Sequence, residues 1–338
     1  AAAREMAADP RVYIMGLGVP DPKGVFGTTL GLQAKYGDQR VMDMPTSENA
    51  MTGVAIGSAI VGMRPIMTHQ RVDFALLSLD QIINNAAKWH YMFGGLAKVP
   101  LVIRMIIGRG WGQGPQHSQS LHALFAHIPG LKVVMPATPY DAKGLLISAI
   151  EDDNPVIYLE HRWLHGIFGP VPEYLYRVPI GHARTAQEGT DLTIVAASHM
   201  VLEALHAADL LAKDDIRAEV IDVRSVKPLD VRHIFESVRK TKRLLVADAD
   251  WRSMGFAGEV IAAVTEEMGS LLYNNPRRIS WPEAPSPSSW ALANHFYPRA
   301  IHIANMARSM MGRAQEPDAQ EVNSKPLDVP DAAFTGPF

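Results

Sequence analysis

The chain has 338 residues, 32 Lys and Arg against 35 Asp and Glu, and a formal net charge of −3; no global field favours nucleic acid or an anionic membrane, and neither is expected as a partner. Its 47 % hydrophobic and 20 % charged residues fit an ordinary globular chain, and the length sets a prior of two domains at about 150 residues each. Having no cysteine, it cannot use disulfides, thiolate nucleophiles, Fe–S clusters or cysteine zinc sites, and without a signal-peptide core or an apolar run near the roughly 18 residues of a membrane span it is expected in the cytoplasm.

In chain order, the candidate strands of the first half are Val12–Met15, Arg40–Met44, Arg64–His69, Leu101–Ile107, Lys132–Met135 and Val156–Leu159. These are largely continuous apolar runs rather than alternating ones. Strands buried on both faces of a parallel sheet read that way. Helical patterns lie between them, notably Ala50–Val61 and Leu79–Phe93, so the first half is read as a doubly wound α/β domain. From about His161 to Thr190 the pattern is interrupted by Gly166, Gly169, Pro170, Pro172, Pro179, Gly181 and Gly189, which marks a connecting segment. Alternation resumes with strands at Leu192–Ala196, Glu219–Val223, Leu244–Ala247 and Arg278–Trp281, and helices from about Val201, Val231 and Gly258. The expected layout is a first domain over 1–185 with its linker at 161–185, a second, smaller α/β domain over 186–313, and an extension over 314–338 without periodicity.

Three segments carry chemistry. Glu48, in Met44-Pro45-Thr46-Ser47-Glu48-Asn49-Ala50, follows a strand and opens a helix. Ligands of open α/β sheets bind at the carboxyl ends of strands, so Glu48 is either a functional acid or a cap on the free N–H groups of its helix. The second segment runs from Gly108 to Gln119, with four glycines in its first seven residues, followed by Gln116, His117 and Ser118. A glycine-rich loop at a strand end admits close ligand approach. It lacks the Gly-Lys-Ser/Thr ending of a phosphate-binding loop. His117 is either a proton-transfer group or a surface-loop histidine; His122 and His127 read as core or surface histidines, with metal ligation the weaker reading. The third segment, Ala149-Ile150-Glu151-Asp152-Asp153-Asn154-Pro155, is either a solvated acidic turn or a holder for a hard cation. No Gly-x-Gly-x-x-Gly follows a strand, and no Gly-Asp-Gly with a downstream Asn is present. A diphosphate cofactor would therefore need its phosphates held elsewhere.

The ordered motifs Lys35-Tyr36-Gly37-Asp38-Gln39-Arg40, Ser47-Glu48, Gly62-Met63-Arg64-Pro65-Ile66, Leu79-Asp80-Gln81-Ile82-Ile83-Asn84, Gln116-His117-Ser118-Gln119, Pro129-Gly130-Leu131-Lys132-Val133-Val134, Asp153-Asn154-Pro155 and Pro179-Ile180-Gly181 resemble the β subunits of pyruvate, branched-chain 2-oxo acid and acetoin dehydrogenases. The match runs from about Val12 to Arg313. The resemblance implies a transketolase-like pyrimidine-binding domain followed by a transketolase C-terminal domain. It implies thiamine diphosphate as cofactor, with the pyrimidine on this chain and the diphosphate and Mg²⁺ on an α subunit of an α₂β₂ heterotetramer. It also implies a 2-oxo acid substrate and a lipoyl-bearing acyltransferase as acyl acceptor. By position, Ser47, Glu48 and Phe74 would contact the cofactor, Glu48 at the pyrimidine ring nitrogen N1′ and Phe74 against the ring, although Phe74 taken by itself reads as core. Glu48 and His117 would be the catalytic pair. Ala149, Ile150, Asp152 and Asn154 match a turn that binds K⁺ in some members.

Departures from the family pattern bear on the substrate. Gly16-Leu17-Gly18-Val19 replaces a stretch that carries acids in relatives, Leu77 stands where pyruvate enzymes have a polar residue, and Ala247-Asp248-Ala249-Asp250-Trp251 replaces a Glu-rich segment. The alternatives are a two-subunit thiamine-diphosphate carboligase or transketolase-like enzyme, and a non-catalytic scaffold subunit.

Overall fold

The computed structural model describes residues 1–21, 24–109 and 113–317. Gly110, Trp111 and Gly112 of the glycine-rich segment, and all of the expected extension beyond residue 317, lie outside the described residues. The chain divides into two units. Among the described residues, one comprises Ala1–Ile107 and Leu124–Ile180; the other comprises Gly108–Ala123 and Gly181–Pro317.

In the first unit every predicted apolar run becomes a strand: β1 (Val12–Gly16), β2 (Val41–Met42), β3 (Arg64–His69), β4 (Val102–Ile107), β5 (Lys132–Val134) and β6 (Val156–His161). They pair in parallel in the order β5-β6-β4-β3-β1-β2. All residues of β1 and β4 are buried, as continuous apolar composition requires of strands covered on both faces. Parallel strands need crossover connections: the Glu48–Ile60 helix crosses from the edge strand β2 over β1 to β3, and the Pro139–Glu151 helix joins the neighbours β5 and β6. Two expectations are corrected in extent. The strand expected over Arg40–Met44 is only Val41–Met42, because the Asp43 carboxylate turns back to accept the N–H groups of Gly18 and Met44 at 2.9 Å. The helix expected over Leu79–Phe93 is a wide π turn at Gln81–Ala86 followed by an α-helix at Ala87–Met92. Asn84 and Asn85 reach back across that turn to Asp80 and Gln81.

Two glycines in this unit are set by close approach. Gly16 pairs with Thr68 in register, and a Cβ on it would lie 2.3 Å from the Thr68 carbonyl oxygen. Gly130 has φ +98°, and a Cβ there would meet the Ala87 carbonyl oxygen at 1.9 Å. The buried cation Arg104 on β4 is matched by Glu160 on β6, with Nη2 donating to Oε1 at 2.9 Å.

The second unit contains β7 (Arg184–Gln187), β8 (Leu192–Ala196), β9 (Ala218–Asp222), β10 (Ser225–Lys227), β11 (Leu244–Trp251) and β12 (Arg277–Trp281). Its five-stranded sheet has the order β12-β11-β8-β9-β7. All pairings are parallel except β7 with β9, which is antiparallel at the sheet edge. The strand β7 has no apolar run to announce it: Arg-Thr-Ala-Gln is half-buried throughout, and the connecting-segment reading passed over it. Trp281 is buried among Trp251, Phe296 and Tyr297, with ring centroids 5.3–5.9 Å apart.

Candidate active site

Glu48 is the first residue of its helix, at the carboxyl end of β2, and is only 6 % exposed. Small and apolar residues of that helix bring it there: Thr52, Ala55, Ile56 and Ala59 are buried along one side, so the amino end is fixed against the sheet. The Ser47 side chain makes no capping bond, and among the described residues no side-chain hydrogen bond or ion pair holds the Glu48 carboxylate. The capping role allowed by the sequence is therefore not what the structure shows. A carboxylate that no protein group holds keeps its acceptor oxygens available to a polar ligand atom. Ser47 beside it is exposed. Phe74, half-buried on the Val72–Ala75 helix, belongs to an element that packs against the Glu48–Ile60 helix. The first unit thus brings a buried carboxyl and an aromatic side chain onto neighbouring helices at one end of a parallel sheet. That donor set fits a flat, nitrogen-containing ring: one acceptor or donor in its plane and one apolar face.

His117 is placed in the second unit, at the end of the short 3₁₀ turn Pro115–His117, and is half-buried. The turn is closed by the His117 N–H on the Gly114 carbonyl at 3.1 Å, and the base of the segment by the Gly108 N–H on the Gln119 carbonyl at 3.0 Å. A Cβ on Gly114 would lie 2.3 Å from Ser288 Oγ, a hydroxyl that would have to turn aside. Arg109 donates to the Ser288 carbonyl at 3.0 Å and lies over the Tyr297 ring at 5.6 Å. His122, read from sequence as a core or surface histidine without an acidic neighbour, is wholly buried and is met by Asp248 and Asp250 of β11. Sequence spacing offered one clue to them: two aspartates two apart in an otherwise apolar strand face the same side.

In the turn expected to hold K⁺, Ala149 and Ile150 are buried. The carbonyls of Ile150 and Asp152 accept from Arg64 Nη1 at 2.9 and 3.1 Å. Asp153 is paired with Arg64 at 2.8 Å and Lys98 at 2.5 Å, and Asp152 with Lys132. Asp152 Oδ1 also accepts the Asn154 N–H at 2.9 Å. The turn is an electronegative cluster already met by three cationic side chains. Among the described residues no group of three or more His, Asp or Glu could hold a metal ion, and no helix is long and apolar enough to cross a membrane.

Comparison with known proteins agrees with this architecture. The family models "Transketolase, pyrimidine binding domain" and "Transketolase, C-terminal domain" match residues 1–166 and 181–303. The chain is 45 % identical to the acetoin:2,6-dichlorophenolindophenol oxidoreductase subunit beta of Cupriavidus necator, over 91 % of this chain and 94 % of that protein. It is 42 % identical to the pyruvate dehydrogenase E1 component subunit beta of Rickettsia felis, over 84 % of this chain and 87 % of that one. A solved structure described as a split gene transketolase, inactive beta4 tetramer, superposes with a TM-score of 0.75 at 24 % identity, covering 92 % of this chain and 95 % of that one, a likeness of fold. The chain belongs to the β-subunit family of thiamine-diphosphate-dependent 2-oxo acid dehydrogenases, in which a transketolase pyrimidine-binding domain is followed by a transketolase C-terminal domain.

Proposed function

We propose that Glu48 and Phe74 receive the pyrimidine of thiamine diphosphate, Glu48 at ring nitrogen N1′ and Phe74 on the ring face, with Ser47 at the edge of the same contact. The observation that carries this reading is the Glu48 side chain, which is 6 % exposed at the head of its helix and has no side-chain partner among the described residues. When bound, the cofactor supplies the electron sink for breaking the bond next to the substrate carbonyl. Glu48 would hold or release a proton at N1′ and so set the protonation of the amino group across the ring. His117 serves as a proton donor or acceptor at the substrate or in acyl transfer. An α subunit supplies the diphosphate cradle and Mg²⁺, in keeping with the missing phosphate motifs of this chain, and a lipoyl-bearing acyltransferase takes the acyl group. K⁺ at Ala149, Ile150, Asp152 and Asn154 is a structural ion in this reading; it would share the Ile150 and Asp152 carbonyls with Arg64.

Two donors compete. A 2-oxo acid follows from the family as a whole; acetoin is favoured by the name of the Cupriavidus necator relative. The test is co-expression with the neighbouring Gly-Asp-Gly-containing subunit. CO₂ release from a panel of 2-oxo acids, and acetoin-dependent dye reduction, are then followed with and without a lipoylated acceptor. Turnover that requires both chains and reduces lipoamide supports the dehydrogenase reading and identifies the donor. Turnover of a 2-oxo acid without lipoamide reduction moves the reading to a carboligase. No turnover of either donor with cofactor bound sinks it.

A further inference from the structure

We infer that His122 is a positioning residue: clamped between Asp248 and Asp250, it fastens the segment that carries His117 to β11 of the second unit. His122 is 1 % exposed. Its Nε2 lies 2.9 Å from Asp248 Oδ1 and its Nδ1 3.8 Å from Asp250 Oδ2. The clamp is itself anchored. The second oxygen of Asp248 accepts the Ala257 N–H at the start of the Phe256–Met268 helix, at 3.1 Å, and Asp250 accepts the Trp251 N–H at 2.9 Å. The edge of the Phe256 ring closes the remaining side, 6.4 Å from the imidazole. No other charged group faces His122 from β11 or from that helix among the described residues.

A second observation lies one residue upstream. Leu121 is held at φ +54°, a left-handed conformation that is strained for any residue with a side chain. Such strain persists only where flanking contacts over-determine it. On one side stand the Gly108–Gln119 backbone bond and the buried Ser118 and Ser120; on the other stands His122. Release of His122 lets Leu121 relax and with it the short link to His117, five residues away. Displacement by about 1 Å of a group that handles protons is enough to cost up to about 10²-fold in rate.

Burial by itself would lower the imidazole pKa, but Asp248 and Asp250 more than offset it and raise it above the usual value, while burial raises the Asp250 carboxyl. For His122 the raised folded-state pKa gives stability that is present below its ordinary value and lost as pH rises through the raised one. The clamp therefore loosens toward alkaline pH.

The test uses the complex assembled with its α partner and compares wild type, His122→Gln, which keeps a donor to Asp248 without the charge, and His122→Gln combined with Asp250→Asn, which removes the unbalanced carboxylate. Hydrogen exchange of the Gln113–Ala123 amides is expected to speed up about tenfold or more in His122→Gln, with β8 unchanged, and to be partly restored in the double variant. In wild type the same amides, corrected for intrinsic base catalysis, show a pH-dependent loosening that His122→Gln lacks. The kcat is expected to fall about 10- to 100-fold with KM nearly constant, and this consequence alone depends on the role given to His117. Unchanged exchange in His122→Gln, or a wild-type segment without the pH step, overturns the clamp even if His117→Ala is inactive. An active His117→Ala with the exchange pattern intact overturns the His117 role and leaves the clamp standing. Should His122→Gln fail to assemble, the wild-type pH step decides the matter.

Discussion

Glu48 shows how far a single residue can be read from sequence. Its place after a strand and at the head of a helix was legible, and so was the pair of roles open to it. Local pattern could not decide between them, because capping and ligand binding use the same residue type at the same position. The structure removes the cap: the Glu48 side chain lies mostly buried and makes no bond to its own helix. A carboxylate without a protein partner contributes no hydrogen bond or ion pair to the fold, so its loss is not expected to cost stability. Glu48→Gln is expected to lower kcat of the assembled complex by about 10²–10⁴-fold and to leave Tm equal or higher; kinetics and a thermal melt on the same sample check both. A lower Tm with unchanged kcat would return Glu48 to a structural role.

At the scale of elements, the parallel strands were plain in the sequence because a strand covered on both faces must be apolar at every position. Their ends were less so, because Asp43 and the Asn84–Asn85 pair set boundaries by side-chain bonds that no periodicity reports. The motif Pro129-Gly130-Leu131 acquires a physical reason here. Gly130 sits where any side chain would meet the Ala87 carbonyl, in a backbone conformation that disfavours one. Gly130→Ala is expected to destabilise by about 3 kcal/mol or more, seen as a Tm fall of roughly 5–10 °C. A melt within 2 °C or so of wild type would mean that the Ala87 turn yields at little cost.

At the scale of the molecule, the buried ionisable groups predict an acid-sensitive protein. Burial pushes His69 and His165 down to about 4, and Glu203, whose burial is outweighed by His199, Arg299 and the Ala300 N–H, lies at about 2. For each, the unfolded chain binds protons at a higher pH than the folded one. Their contribution is complete above the unfolded values, near 6.5 for the histidines and 4.5 for Glu203. It is lost as pH falls toward 4 for the histidines and toward 2 for Glu203. Each histidine accounts for about 3 kcal/mol when the loss is complete. Tm measured from pH 7 to 4 is expected to fall steadily, and His69→Leu to flatten part of that slope. An equally steep slope in the variant would show that His69 is not the group responsible. The His122 clamp has the opposite sign, because its aspartates favour the protonated ring where burial alone disfavours it at His69.

The sequence by itself determined two parallel-sheet α/β units in order, the missing phosphate cradle, the family, and Glu48 and His117 as the residues to examine. Apolar runs, spacing and ordered motifs suffice for these because each is a local property of the chain. Tertiary structure alone decided that Gly108–Ala123, interrupting the first unit in sequence, packs with the second. It also decided that Arg64 lies on the carbonyls of the acidic turn, and that His122 meets an aspartate 126 residues away. The physical reason is common to all three. A buried polar or charged group must find its partner wherever the fold brings one within hydrogen-bond reach, and distance along the chain does not record that reach.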